Sequence, residues 1–216
     1  MVTKSRPTHP DLGIKITIVT LLACLLVWMF VNSMKAPIAQ KNICELFTHH
    51  PQWYWQAKSS ESKWGVPVSL QMAIMQKESH FRASAKPSYR GVWGVFPFLH
   101  SSSATGYTQA LDGTWRSYLR ATHKKSASRE SFADATDFIG WYVSRLHTLT
   151  GIPKTDGFRL YLAYHEGPGG YVAHSYSRKP WLIHLAHKVS WRAHTYRQQL
   201  VRCQNHLPTK PWYYFW

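Results

Sequence analysis

The sequence predicts a mainly α-helical domain preceded by one N-terminal transmembrane helix. Residues that start and stop helices bound a series of segments along residues 43–206, and the alternation typical of β-strands is nearly absent. Residues 16–34 carry no charged side chain, and at about 1.5 Å per helical residue they approach the roughly 30 Å apolar core of a bilayer. The 216 residues therefore accommodate an anchor and one globular domain.

The charges around the uncharged segment predict its orientation. Residues 1–15 carry three basic side chains, whereas Lys35 and Lys41 follow the segment. The bias favours a cytoplasmic N-terminus at 1–15, an anchor at 16–34 and a linker at 35–42. The domain at 43–206 and an aromatic C-terminal tail at 207–216 then lie outside the cytoplasm.

Two other fates of the N-terminal segment remain open. A cleaved signal peptide fits the basic start, but no small-x-small cleavage site precedes the polar flank. The sequence Leu21-Leu22-Ala23-Cys24 resembles a lipobox, in which Cys24 would become an acylated N-terminus. Because the apolar run continues beyond Cys24, we favour the retained anchor.

Cys44 and Cys203 lie near the two ends of the predicted domain. In an oxidising compartment such a pair forms a disulfide that ties the ends of the domain together. Two unpaired thiols are the alternative.

The predicted helices have recognisable ends. Proline, capping Ser or Asp residues, and terminal glycines mark their limits. They span about 51–64, 67–79, 112–122, 131–149, 156–167 and 187–203, and residues 84–108 are predicted to form a long loop. Most of the tryptophans Trp53, Trp64, Trp141 and Trp191 are expected in the core.

The composition is strongly basic, with a formal net charge of +16 from 26 Lys and Arg against 10 Asp and Glu. The positive field of such a surface attracts polyanions, and nucleic acid, anionic lipid and anionic cell-wall polymer are all possible partners on this ground. The scarcity of acids also allows a catalytic carboxylate to be sought by elimination.

Glu78 is the first candidate. On the helix that starts near Pro67, Glu78 continues the apolar face formed by Leu70 and Ile74. Burial and the negative end of the helix dipole should both raise the pKa of its carboxyl group. An outward-facing Glu78 paired with a neighbouring cation satisfies the periodicity equally well.

Elimination favours Glu78 and Glu166. Most other acids are assigned to helix starts, namely Asp112, Asp134 and Asp156, or to polar and early-helix surroundings, namely Glu61, Glu130 and Asp137. Glu166 differs because it precedes a glycine-rich turn.

Three separated motifs resemble the lysozyme-like catalytic domain of soluble lytic transglycosylases. Glu78-Ser79-His80-Phe81 is similar to the family's Glu-Ser-x-Phe. The segment from Gly106 to Thr114 looks like Gly-Leu-Met-Gln with a downstream Pro-x-Thr, and it keeps Gly106, Gln109 and Thr114. Ala163-Tyr164-His165-Glu166-Gly167-Pro168-Gly169 looks like Ala-Tyr-Asn-Ala-Gly-x-Gly. The motifs cover roughly half of the chain, in the family's order.

The resemblance implies a periplasmic enzyme that cleaves peptidoglycan glycan strands with Glu78 as its single acid and base. It implies that Tyr164 hydrogen-bonds near Glu78 and helps to set its pKa, and that Ser79 and Gln109 shape the site or orient the sugar. No metal or cofactor is implied. Its partners would be glycan strands, the inner membrane and an envelope-spanning complex.

The chain departs from the family pattern in three places, of which Tyr107-Thr108 in place of Leu-Met is expected to be tolerated. The gap between the first two motifs is long, which predicts an inserted loop bearing Trp93, Phe96 and Phe98 over the cleft. His165-Glu166 replaces Asn-Ala, which adds a second carboxylate.

Three competing functions follow from these features. A muramidase would use Glu166 as the base that activates water. A non-catalytic wall-binding component of a secretion or conjugation machine would keep the fold and lack the activity. Nucleic-acid binding by the basic region 179–202 is disfavoured, because a domain outside the cytoplasm rarely meets nucleic acid.

Overall fold

The structure is a computed structural model that describes residues 15–28, 42–86 and 103–214. The chain divides into two units, residues 1–41 and 42–216. In the first unit, residues 15–28 are helical. Within the described ranges, no helix combines the length and the apolar character needed to cross a bilayer. Residues 29–34 of the predicted anchor lie outside those ranges.

The second unit is helical in its described part. Its seven α-helices there are α1 (Ile43–His49), α2 (Pro51–Trp64), α3 (Val68–Ser79), α4 (Asp112–Thr122), α5 (Phe132–Thr150), α6 (Gly157–Val172) and α7 (Pro180–Cys203). Short 3₁₀ turns occupy Ser175–Arg178 and Gln204–His206. Residues 42–86 and 103–214 contain no strand beyond an isolated bridge between Thr105 and Ala110. The prediction of a mainly α-helical domain is confirmed.

Helix α3 lies at the centre of the domain. It packs against α2, α5 and α7. Every residue from Val68 to Met75 is buried, and burial of each large apolar side chain contributes about 1.5 to 3 kcal/mol. The core therefore fixes the position and direction of α3, and with them the position of the residues at its C-terminal end.

Several predicted helix ends are confirmed. Gly65 and Gly151 adopt left-handed conformations, with φ values of 69° and 71°, where α2 and α5 end. The Ser131 hydroxyl accepts the Asp134 backbone N–H at 3.3 Å and caps α5. These positions show that local capping chemistry sets the helix limits.

Other helix limits differ from the prediction. Leu111, not Asp112, is the N-cap of α4, because the Asp112 carboxylate instead forms an ion pair with Arg129 at 2.7 Å. Helix α7 begins at Pro180 rather than at His187, since Leu182 and Ala186 extend its buried face toward the N-terminus. Trp191 is 65% exposed. It lies two residues from the buried Val189, which places it on the opposite face of α7.

Helix α6 is interrupted where a glycine turn was predicted. Gly167 has φ 73° and ψ 166°, and the helix resumes at Pro168 and continues to Val172. The predicted break is confirmed, and a second helical segment follows it directly.

The two ends of the domain are joined as expected. A disulfide links Cys44 in α1 to Cys203 in α7 across 159 residues of sequence. In the loop-entropy account, a closure of that length contributes about 5 kcal/mol. The predicted C-terminal tail also contacts the domain, since the Trp55 indole N–H donates to the Pro208 carbonyl oxygen at 2.7 Å. The predicted aromatic loop with Trp93, Phe96 and Phe98 lies outside the described residues.

Candidate active site

Glu78 occupies the last turn of α3, where the chain reverses direction. His80 and Phe81 follow it with φ values of 54° and 59°, two consecutive non-glycine residues in the left-handed region. Such conformations cost of order 1 to 3 kcal/mol each and persist only where the surroundings enforce them. Phe81 is held against Trp53, with ring centroids 6.1 Å apart. The sharp turn leaves the Glu78 side chain at the end of the buried helix.

The environment of Glu78 favours its protonated form. Burial raises the pKa of the carboxyl group from its usual 4.5 to about 7, although a hydrogen bond from Tyr161 and the charge of Lys77 act in the opposite direction. The Tyr161 hydroxyl donates to Glu78 Oε1 at 2.9 Å. The direction of the shift agrees with the sequence-based expectation. Near neutral pH, a carboxyl group with this pKa exists in comparable amounts as the protonated acid and as the carboxylate base.

Tyr161, which the sequence did not single out, is the tyrosine that hydrogen-bonds Glu78. Tyr164, which was expected to hydrogen-bond near Glu78, donates its hydroxyl to the Thr108 carbonyl oxygen at 3.1 Å. Tyr161 precedes Tyr164 by three residues and shares its face of α6. Their rings lie parallel, 6.4 Å apart. Tyr161 is therefore the member of the pair that reaches α3. Its i, i+3 spacing from Tyr164 was the signal available in the sequence.

These tyrosines form an apolar wall beside the carboxyl group. Tyr142 packs edge-on against Tyr164 with centroids 5.2 Å apart. Burial raises the pKa of Tyr142, Tyr161 and Tyr164. All three phenols stay protonated at neutral pH, so Tyr161 acts as a hydrogen-bond donor to Glu78 and not as a competing base.

The second motif forms a tight loop next to this wall. Gln109 donates its side-chain N–H₂ to the carbonyl oxygens of Ala85 and Gly106, both at 2.9 Å. Gly106 has φ 74°, and a Cβ there would lie 2.4 Å from the Arg129 carbonyl oxygen, which explains the glycine. The bond from Tyr164 to Thr108 ties this loop to α6. The three motifs therefore converge, and the amide nitrogen of Gln109 holds the loop together.

Ser79 lies beneath the site. It is 1% exposed, and its hydroxyl donates to the Met75 carbonyl oxygen at 3.1 Å. In this structure its hydrogen bond supports the last turn of α3, which carries Glu78.

Glu166 belongs to a separate cluster at the kink in α6. Its carboxylate accepts from Lys179 Nζ at 2.8 and 2.9 Å, from the Ser175 hydroxyl, and contacts His165 Nδ1 at 3.1 Å. The hydrogen bonds from Lys179 and Ser175 lower the pKa of Glu166 to about 2. The carboxylate is ionised at neutral pH, and it joins α6 to the following 3₁₀ turn and the start of α7.

Asp137 corrects the elimination argument. It was placed in polar surroundings, but its side chain is only 10% exposed. Burial would raise the pKa of Asp137, yet hydrogen bonds from Trp64, Tyr118 and Lys63 hold it below its usual value. Asp137 is thus a buried carboxylate that is fully engaged in structural contacts.

Comparison with known families agrees with this geometry. The family model described as Transglycosylase SLT domain matches residues 14–203. The chain belongs to this family. No curated protein shows significant similarity to the chain. Membership indicates a glycosidic-bond-cleaving domain of lysozyme-like fold whose substrate class is peptidoglycan.

Proposed function

We propose that this protein is a lytic transglycosylase that cleaves the β-1,4 bond between N-acetylmuramic acid and N-acetylglucosamine and leaves 1,6-anhydro ends. The observation that carries the proposal is the carboxyl group of Glu78, whose pKa burial raises to about 7. It lies where the segments of the three motifs meet. In this wall the partly exposed Tyr142 and Tyr164 offer flat apolar faces of the kind that sugars contact.

In the first step, protonated Glu78 donates its proton to the glycosidic oxygen. The bond from that oxygen to the anomeric carbon of the muramyl residue breaks, and positive charge develops on the muramyl ring. Glu78 becomes a carboxylate. The hydrogen bond from Tyr161 at 2.9 Å then stabilises its negative charge.

In the second step, the Glu78 carboxylate accepts the proton of the muramyl C6 hydroxyl. The C6 oxygen attacks the anomeric carbon of the same residue and closes the 1,6-anhydro ring. Glu78 regains its proton, and no water enters the product. One group with a pKa near neutrality suits both roles.

The hydrolytic alternative requires a second carboxylate that acts as a base toward water. Glu166 is the candidate, but hydrogen bonds from Lys179 and Ser175 lower its pKa to about 2. A carboxylate with that pKa is a weak base, and its oxygens are already occupied by donors. These contacts support the intramolecular reaction over hydrolysis.

The product distinguishes the two reactions. Purified sacculi would be digested with the full chain in ¹⁸O-labelled water, and the released muropeptides analysed by mass spectrometry. We expect muramyl ends that are non-reducing and free of label. Labelled reducing ends would replace the proposal with a muramidase. Glu130→Gln, which changes an exposed carboxylate outside the site, is the matched control and should give the same products as the wild type.

We further propose that residues 16–34 anchor the protein in the inner membrane, with the domain in the periplasm. The uncharged run and the basic residues before it support this arrangement. Inner-membrane fractions should contain the full-length chain, and protease should reach the domain only after the outer membrane is permeabilised. A shortened soluble protein would contradict the anchor, and acyl labelling lost in Cys24→Ser would indicate a lipoprotein.

A further inference from the structure

A cavity lies at the other end of α3 from Glu78. It has a volume of about 440 Å³ and is lined by residues of α2, α3 and α7, including Tyr54, Ser69, Leu70 and Arg197. Ser69 and Glu78 are nine positions apart on α3, or about 14 Å along a helix axis. The volume lies within the range of about 300 to 1,000 Å³ that is typical of small-molecule sites. None of the reaction steps proposed above uses this cavity.

Ser69 lines this cavity and has two hydrogen-bond donors without a partner. Ser69 is 7% exposed and lies in the first turn of α3. Neither its hydroxyl nor its backbone N–H has a hydrogen-bond partner in the part of the chain that the structure describes. The preceding backbone N–H, that of Val68, is already satisfied by Glu61 Oε1 at 3.0 Å. An unsatisfied hydroxyl at a helix N-terminus is suited to an anion.

The charges around the cavity set the charge of its ligand. Lys58 and Glu61 line the cavity and pair with each other, so their charges largely cancel. Arg197 also lines it and has no ion-pair partner among the described residues. The imbalance is one positive charge, and a guanidinium pairs most effectively with a planar carboxylate. A monoanion therefore balances the charge of the cavity, whereas a dianion such as phosphate would leave one negative charge in excess.

The lining also has polar members, such as Ser190 and Gln204, and an apolar part that includes Val68, Leu70, Leu200 and Val201. We propose that this cavity binds a monoanionic carboxylate that carries a short aliphatic group. The carboxylate pairs with Arg197 and accepts from the hydroxyl and N–H of Ser69, while the aliphatic group rests on Leu70 and Leu200. A D-alanyl peptide end of the cell wall and a small free acid both have this chemistry. The assignment to a wall peptide rests on the proposed function.

The test is calorimetric titration of the full-length protein with N-acetyl-D-alanyl-D-alanine. The methyl ester of that peptide, which lacks the charge, should bind at least about tenfold more weakly, since a charge-assisted hydrogen bond is the strongest contact proposed. Arg197→Gln should weaken binding of the acid by about 10- to 100-fold, and Ser69→Ala by about fivefold. Arg202→Gln removes an exposed charge from the same helix outside the cavity and should leave binding unchanged.

Two further titrations identify the source of the ligand. If the D-dipeptide binds and both the L-dipeptide and acetate do not, the ligand is a wall peptide end. Equal binding of acetate and of the two dipeptides, still lost in Arg197→Gln, indicates a small free acid. No binding of any carboxylate at millimolar concentration, or binding that Arg197→Gln leaves intact, would overturn the site. Glu78→Gln should bind as the wild type does, which separates this result from the fate of the proposed reaction.

Discussion

Burial acts on the carboxyl groups of both Glu78 and Asp137, but their pKa values shift in opposite directions. At Glu78, burial dominates and raises the pKa to about 7. At Asp137, burial acts in the same direction but is outweighed, and the pKa falls below its usual value. The two sites differ in how many donors reach the carboxylate.

The donors are unequal in number and in charge. Asp137 accepts from the Trp64 indole N–H at 2.7 Å, the Tyr118 hydroxyl at 2.8 Å and Lys63 at 3.0 Å, and Lys124 lies 3.1 Å away. Glu78 receives the hydrogen bond from Tyr161. Burial alone therefore does not mark a catalytic acid. A buried carboxyl group can exchange its proton near neutral pH when few hydrogen-bond donors stabilise its charged form.

Glu78→Gln should have the largest effect. The amide keeps the shape of the side chain but can neither donate nor accept the proton, so turnover on sacculi should fall by about 10² to 10⁴-fold for each role lost. Circular dichroism should show an unchanged helical content. Near-normal release of muropeptides by this variant would remove Glu78 from the mechanism.

Asp137→Asn should act on stability instead of chemistry. The amide nitrogen would face donors from Trp64, Tyr118 and Lys63, and a broken buried charge network costs about 3 kcal/mol or more. Denaturant unfolding should show the loss, while turnover per folded molecule should stay near that of the wild type. A variant of normal stability with reduced turnover would reverse the roles assigned to the two carboxylates.

The pH dependence of stability provides a direct comparison. The pKa of Glu78 is about 7 in the folded chain against 4.5 as its usual value. Between these two values the folded state binds more protons than the unfolded state. The contribution of Glu78 to the free energy of unfolding is therefore fully present below pH 4.5 and is lost as pH rises through 7. The difference between the wild type and Glu78→Gln should change by up to about 3 kcal/mol over this window. A flat difference would show that Glu78 titrates normally.

Tyr161→Phe should have a smaller effect that also moves the pH profile. The lost hydrogen bond stabilised the charged carboxylate, so the pKa of Glu78 should rise and the alkaline limb of the activity profile should shift upward. Turnover at neutral pH should fall by about tenfold. Tyr164→Phe is the matched control, because that hydroxyl donates to Thr108 and not to Glu78. An upward shift in Tyr164→Phe, and none in Tyr161→Phe, would support the original family-based assignment.

The sequence predicted the parts of the fold that local chemistry controls. Gly65 and Gly151 end helices where expected, and Ser131 caps α5. The disulfide between Cys44 and Cys203 is the exception, because it joins distant residues and was predicted from cysteine chemistry in an oxidising compartment. The errors arise where a distant residue decides the outcome. Asp112 does not cap α4 because Arg129, distant in sequence, takes its carboxylate.

The same distinction separates the predicted from the unpredicted parts of the site. Periodicity placed Glu78 on the buried face of α3 but could not decide its rotation, which depends on Tyr161 in α6. Asp137 was misjudged because its donors Trp64 and Tyr118 lie in two other helices. Hydrogen bonds between helices are set by tertiary packing, which a single sequence does not encode in its local pattern.

Glu166→Gln should have the smallest effect and tests whether the departure from the family motif changed the chemistry. Its charge pairs with Lys179, whose side chain is 39% exposed, so solvent screens the pair and its loss should cost about 1 kcal/mol. The pKa of Glu166 is about 2, below the usual 4.5. This contribution is therefore present above pH 4.5 and disappears as pH falls toward 2, where variant and wild type should become equally stable. Because Glu166 contacts the 3₁₀ turn and not Glu78, the variant should still release 1,6-anhydro ends at nearly the wild-type rate. A variant as inactive as Glu78→Gln, with unchanged stability, would instead make Glu166 part of the reaction.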